Sequence, residues 1–149
     1  MDTDLMVVEK QLVVERSRDD CFRLFTEELG AWWPIATFSI HGEDVADAAV
    51  EGWVGGRIYE RTTDGTECEW GTILEWDAPN GFTVSWKPNL DPKAHRTTWT
   101  IRFEAVGSEV TRMELVHTGW EGFADGAEEA RSGYQGGWDV VLAAFATAA

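Results

Sequence analysis

Apolar residues recur along this chain in two rhythms, and the points where one gives way to the other set the order of elements. Over residues 5–16 the alternation has the period of a strand. Val8, Lys10, Leu12 and Val14 fall on one side, and Val7, Glu9, Gln11, Val13 and Glu15 on the other. Ser17 then reads as a helix N-cap, with Asp19 and Asp20 in the first turn where the helix dipole favours anions. Phe22, Phe25 and Leu29 share one helical face, and Gly30 is expected to end the helix. Pro34, behind Trp32 and Trp33, enforces a break, and 35–44 reads as loop or short second helix.

Six further strand-like runs follow as a meander, at 45–53, 57–63, 67–76, 82–87, 96–104 and 109–118. Asp64-Gly65 is the strongest hairpin signal among the turns between them. In 67–76, Cys68, Trp70, Thr72, Leu74 and Trp76 are expected on one face and Glu67, Glu69, Gly71, Ile73 and Glu75 on the other. Phe82, Val84 and Trp86 share a face, as do Trp99, Ile101 and Phe103, and as do Met113, Leu115 and His117. The helical period returns over 124–146, where Ala127, Ala130, Tyr134, Trp138, Val141, Leu142 and Phe145 form one stripe. Gly133, Gly136 and Gly137 interrupt that helix, each at a cost of about 1 kcal/mol relative to Ala. Close packing, a kink or room for a ligand would each explain them. The order predicts an α+β fold of one domain over 1–149. A curved antiparallel sheet of about seven strands wraps a long C-terminal helix, with two short helices after the first strand and a concave pocket between helix and sheet.

Composition adds one emphasis. Nine tryptophans stand among 149 residues, enough either for a very aromatic core or for an aromatic-lined cavity. The net charge is −15, from twelve basic and twenty-seven acidic residues. Such a field repels phosphate backbones and anionic lipid, so neither nucleic acid nor membrane is an expected partner. No secretory signal and no transmembrane stretch are visible, and Cys21 and Cys68 form no CxxC pair. Reduced structural thiols and a cytoplasmic location are the expectation.

Several segments together resemble a known family. They are Gly55-Gly56-Arg57-Ile58-Tyr59-Glu60, the hairpin Asp64-Gly65-Thr66-Glu67, Trp70-Gly71, Pro79 with Phe82 and Trp86, His117-Thr118-Gly119-Trp120, and Gly136-Gly137-Trp138 with Leu142. The chain resembles the START-like (birch-pollen-allergen-like) helix-grip superfamily, and within it the family named for activators of the heat-shock protein 90 ATPase. The resemblance implies a helix-grip fold and an internal hydrophobic cavity, with ligands that range from lipids to polyketides.

Three functions follow as expectations. The first is non-catalytic binding of a small apolar or aromatic ligand, with Trp33, Tyr59, Trp86, Trp99, His117, Trp138 and Leu142 as binding residues. The second is a cyclase- or hydrolase-type enzyme with His117 and Tyr59 or an acidic residue as acid–base pair. No second convincing catalytic group stands out, so no catalytic residue is assigned. The third is a co-chaperone-like interaction domain whose acidic surface meets a chaperone or other basic protein; a homodimer stays open. His41, His95 and His117 show no HxxxH or HExxH spacing, so no metal and no cofactor are expected. His41 and His95 are expected in solvated loops. The face to which Glu60 points stays open. If it points inward it must be paired, with Arg112 or Arg102 as candidates.

Overall fold

The computed structural model describes residues 7–149. The elements run β1 (Val8–Val14), α1 (Arg18–Thr26), α2 (Leu29–Trp32), β2 (Val45–Val50), β3 (Arg57–Thr62), β4 (Glu67–Asp77), β5 (Gly81–Trp86), β6 (Thr97–Gly107), β7 (Val110–Thr118) and α3 (Ala127–Ala148). All seven strands join one antiparallel sheet in the order β1-β7-β6-β5-β4-β3-β2. Strands β2 to β7 form the expected meander. The stretch from β1 to β2 carries the chain from one edge strand to the other. Along it α1 packs on β6 and β7, and α2 on β2. The sheet curls as a half-barrel around α3. No helix among the described residues is long and apolar enough to cross a membrane. The first strand was expected to begin at Leu5; residues 5 and 6 lie outside the described residues.

Local chemistry accounts for the boundaries. Ser17 caps α1, its hydroxyl accepting from the Asp20 N–H at 3.3 Å. The helix ends at Thr26, earlier than expected, and Gly30 lies inside α2 instead of terminating α1. A Cβ at Gly30 would fall 1.8 Å from Asp47 Oδ1, so glycine is what lets α2 lie directly on β2. At the other end, α3 begins three residues later than expected. A 3-10 segment, Trp120–Gly126, precedes the helix and is kinked within by Ala124 at φ 53°.

The alternation in β4 breaks twice. Cys68 and Trp70 are buried as expected, but Ile73 is buried too, whereas Leu74 is exposed. Register shifts against β3 between Ile58 and Tyr59 and against β5 between Ile73 and Glu75 explain the change of face. Irregularities of this kind bend a strand and increase its twist, which is how an open sheet curls around a helix.

The core under the curl is aromatic. Phe25 packs on Trp32 and Phe145 with ring centroids 4.9 and 5.5 Å away, and Phe22 on Phe103 at 5.4 Å. Phe145 is fully buried and joins the end of α3 to α1 and α2. Phe145→Ala should therefore lower unfolding free energy by about 3–5 kcal/mol. Urea denaturation is the measurement, and a loss below about 1 kcal/mol would show that the end of α3 is not anchored there.

Candidate functional site

A buried indole needs a partner for its N–H, and these partners reveal how the interior is organised. Seven of the nine tryptophans are buried. Trp32 donates to the Leu24 carbonyl at 2.9 Å, Trp33 to the Phe38 carbonyl at 2.9 Å, and Trp120 to the His117 carbonyl at 2.9 Å. Trp70 donates to Glu60 Oε1 at 2.6 Å, Trp86 to the Tyr134 hydroxyl at 3.2 Å, and Trp138 to His117 Nδ1 at 2.9 Å. The Trp99 N–H alone among them has no partner. Five of these rings form one contiguous cluster. Trp33 meets Trp70 at 5.4 Å and Trp138 at 6.2 Å, and Trp99 meets Trp86 at 5.4 Å and Trp138 at 5.3 Å.

A cavity of about 340 Å³ opens beside that cluster. Trp33, Phe38 and Ser39 wall it from the loop after α2, Trp86 and Pro88 from the end of β5, and Ala130, Gly133, Tyr134, Gly137 and Trp138 from α3. The void does not lie midway between helix and sheet. Trp99, His117 and Leu142 fill that space and line no part of it. The glycines are what leave it open. A Cβ at Gly133 would meet nothing within 4 Å, and one at Gly137 would only touch the Phe38 ring at 3.5 Å. Gly136, with nothing within 4 Å of an added Cβ, stands away from the cavity wall.

The polar groups at the cavity are few. The Tyr134 hydroxyl accepts from Trp86, so its own proton is available to an occupant. Burial raises its pKa, the Trp86 bond opposing, so it stays a neutral donor. The Ser39 hydroxyl accepts from the Gly42 N–H at 2.8 Å and likewise keeps a proton to give. Glu129 adds a carboxylate at the exposed start of α3.

Of the residues picked out in the sequence, Trp33, Trp86 and Trp138 meet at this cavity, and the other four lie elsewhere. Tyr59 packs on the side of the sheet that carries Arg57 and Arg61, its ring under the Arg57 guanidinium at 4.1 Å. Leu142 and Trp99 belong to the core. His117 is fully buried and ties β7 to α3. Since Trp138 donates to Nδ1, that nitrogen carries the lone pair, and Nε2–H donates to Thr97 Oγ1 at 2.6 Å. Burial lowers its pKa to about 3, and a proton on Nδ1 would face the indole N–H. Such an imidazole fixes the helix to the sheet. His95 is exposed in a loop, as expected, with Nε2 at 2.7 Å from the Gly119 carbonyl.

Glu60 does point inward and is fully buried, but neither Arg102 nor Arg112 pairs with it. Its Oε1 accepts from the Ile40 N–H at 2.6 Å and from Trp70; its Oε2 accepts from the His41 N–H at 3.0 Å and faces His41 Nδ1 at 2.8 Å. Desolvation pushes the carboxyl pKa up, and these donors outweigh it, so the group stays ionised below the ordinary carboxylate value. The partners come from a loop twenty residues upstream, a pairing that no local pattern announces. Phe38, Ser39 and Tyr134 were also missed as cavity walls.

The family model described as activator of Hsp90 ATPase homolog 1-like protein matches residues 15–149, and the chain belongs to that family. Among solved structures it is similar to the anthrahydroquino-gamma-pyrone synthase Txn09 complexed with SUM, at 32% identity over 95% of both chains with a TM-score of 0.64. It is also similar to the self-sacrificing resistance protein CalC of Micromonospora echinospora, at 26% identity over 95% of this chain and 92% of that one, TM-score 0.67. The HSP90 activator PFC0360w of Plasmodium falciparum shares the fold at 22% identity, over 76% of this chain and 72% of that one, TM-score 0.53. Comparison with curated proteins finds no match.

The state of His117 gives a pH signature. Its folded pKa of about 3 lies below the ordinary 6.5, so the unfolded chain takes up the proton first as pH falls. The stability it contributes is complete above pH 6.5 and declines below that value, by up to about 1.4 kcal/mol per pH unit. Denaturation of the wild type and of His117→Gln between pH 6.5 and 4.5 should show this slope only in the wild type. Parallel curves would mean that the imidazole titrates normally in the fold.

Proposed function

We infer that the chain binds a small planar aromatic molecule carrying a carbonyl or hydroxyl oxygen, held without turnover in the cleft between α3 and the loop after α2. The carrying observation is the cavity of about 340 Å³, walled by Trp33, Trp86 and Trp138 and kept open by Gly133 and Gly137. Pockets of a few hundred Å³ with aromatic walls and few polar groups suit ligands of this kind. Indole faces supply stacking area, and the Tyr134 and Ser39 hydroxyls supply donors for a ligand oxygen. No nucleic-acid or membrane partner suits a net charge of −15.

A second reading is favoured by one observation, the 32% identity to a synthase whose name joins an anthrahydroquinone to a pyrone. In that reading the same cleft holds a polycyclic substrate for ring closure, with Tyr134 as the acid that polarises a carbonyl. A co-chaperone role of Hsp90-activator type has the family and the fold in its support, but no contact surface assigned to it.

The experiment is calorimetric titration with a hydroxyanthraquinone such as alizarin. Saturable binding is expected in the wild type. Gly133→Leu should weaken it about tenfold or more, which corresponds to ~1.4 kcal/mol, while leaving the protein as stable or more so, since Leu is the better helix former. Tyr134→Phe should weaken alizarin by about threefold to tenfold and leave anthracene, which has no oxygen, unaffected. No saturable heat in the wild type, or unchanged binding in Gly133→Leu, would sink the binding reading. Chromatographic appearance of a ring-closed product from a suitable open precursor would favour the second reading over the first.

A further inference from the structure

Behind the loop that carries Phe38 and Ser39, three residues far apart in sequence bring a nitrogen, an oxygen and a sulfur together. We propose that His41, Glu60 and Cys68 form a site for one Zn²⁺, bound through His41 Nδ1, Glu60 Oε2 and Cys68 Sγ, with water in the fourth position.

The geometry carries this. The three donor atoms lie within 4.8 Å of one another. His41 Nδ1 is 2.8 Å from Glu60 Oε2 and 3.8 Å from Cys68 Sγ. A tetrahedral ion at about 2.0 Å from nitrogen and oxygen and about 2.3 Å from sulfur needs N···O of ~3.3 Å and N···S of ~3.5 Å, so small side-chain rotations that open the first separation and close the second admit it. The frame is rigid on two sides. Glu60 and Cys68 sit directly opposite one another across β3 and β4, so their side chains project from the same face. His41 comes from the loop just before the 3-10 turn Gly42–Asp44, and its side chain is 33% exposed, which gives an ion and its water a way in.

The lone pairs are arranged to suit. Glu60 Oε1 is taken by Ile40 and Trp70, and Oε2 by the His41 N–H, which leaves one lone pair on Oε2 directed at His41 Nδ1. The three N–H donors thus orient the carboxylate as outer-sphere partners do in metal sites. On binding, the imidazole proton sits on Nε2, the Cys68 thiol releases one proton to solvent, and thiolate plus carboxylate balance the ion's two charges. Cys68 is a free thiol, so the sulfur is available. A nitrogen, a thiolate and a single carboxylate favour zinc over calcium or magnesium, which take oxygen ligands. Three protein ligands with an open fourth position is the ligand count of reactive rather than structural zinc.

The test is titration of the reduced, metal-free full chain with Co²⁺ and then Zn²⁺. One equivalent of Co²⁺ should bring a thiolate-to-cobalt charge-transfer band together with the intense ligand-field bands of a tetrahedral ion, and one equivalent of Zn²⁺ should erase both. Cys68→Ser should lose the charge-transfer band and weaken Zn²⁺, measured against a chromophoric chelator, at least about a hundredfold, the upper end of what loss of an outer-sphere partner costs. Cys21→Ser should keep the band. Circular dichroism reports the fold of each variant, and His41→Asn, altered on a loop, provides the same test should Cys68→Ser not fold. No thiolate band in the folded wild type would overturn the proposal. So would a Zn²⁺ affinity equal in the wild type and a folded ligand variant, since the ion would then sit on exposed carboxylates.

Discussion

All but one of the seven buried indoles, Trp99, find an acceptor, and those bonds fix more of the layout than any single apolar contact. An indole buried without one forfeits a hydrogen bond it had in water, at about 1–3 kcal/mol. Six buried tryptophans meet the demand with acceptors on other segments. Trp33 thereby holds the loop after α2, Trp70 anchors the buried Glu60, and Trp138 docks the long helix on His117. Stacking alone is tolerant of sliding and rotation. The N–H bonds turn an adaptable pile of rings into one arrangement, in which a carboxylate and an imidazole are buried because they serve as acceptors.

This arrangement divides the interior in two. Around Phe25, Trp32, Phe82, Phe103 and Phe145 the side chains are buried and packed ring against ring. Toward the loop after α2 the same aromatic layer is covered on one side only, because the helix offers glycine where a larger residue would complete the seal. Glu60 serves that border. Its bonds to Ile40 and His41 pin the loop next to Phe38 and Ser39, so the cavity wall rests on a buried charge as well as on apolar contact. Loops fixed in this way hold shape without a hydrophobic core of their own.

The fold was legible in the sequence because its two periods are clean. Alternation through Phe82, Val84 and Trp86 and through Trp99, Ile101 and Phe103 assigns strand and face at once, and both sets are buried as read. The departures have local causes invisible to a period count. Two irregularities in β4 reversed the face at Ile73 and Leu74, and the contact of Gly30 with Asp47 is tertiary. The site was half legible. Trp33, Trp86 and Trp138 carry it through size and stripe position, but Ser39 and Phe38 lie in a loop without periodicity. His117 misled through its place beside the apolar face: both ring nitrogens are engaged, which depends on Thr97 and Trp138 meeting it in space. His41, Glu60 and Cys68 lie on three segments with no motif spacing, so only the pairing of β3 with β4 and the return of the loop join them.

The glycines of α3 bear on how such a protein can change over generations. Gly133 faces open space, so nearly any substitution there is sterically free and makes a better helix. Drift at that codon therefore runs toward larger side chains, greater stability and a shallower cleft. On the proposed binding function, only selection for an occupant of the cleft would oppose that drift, a trade of stability against function. The sheet has less freedom, since Trp70 and Trp86 are bonded to Glu60 and Tyr134 and Trp99 is packed among other rings. Descendants of this chain would change the shape of the cleft through the helix, one residue at a time, while the sheet beneath it stays the same.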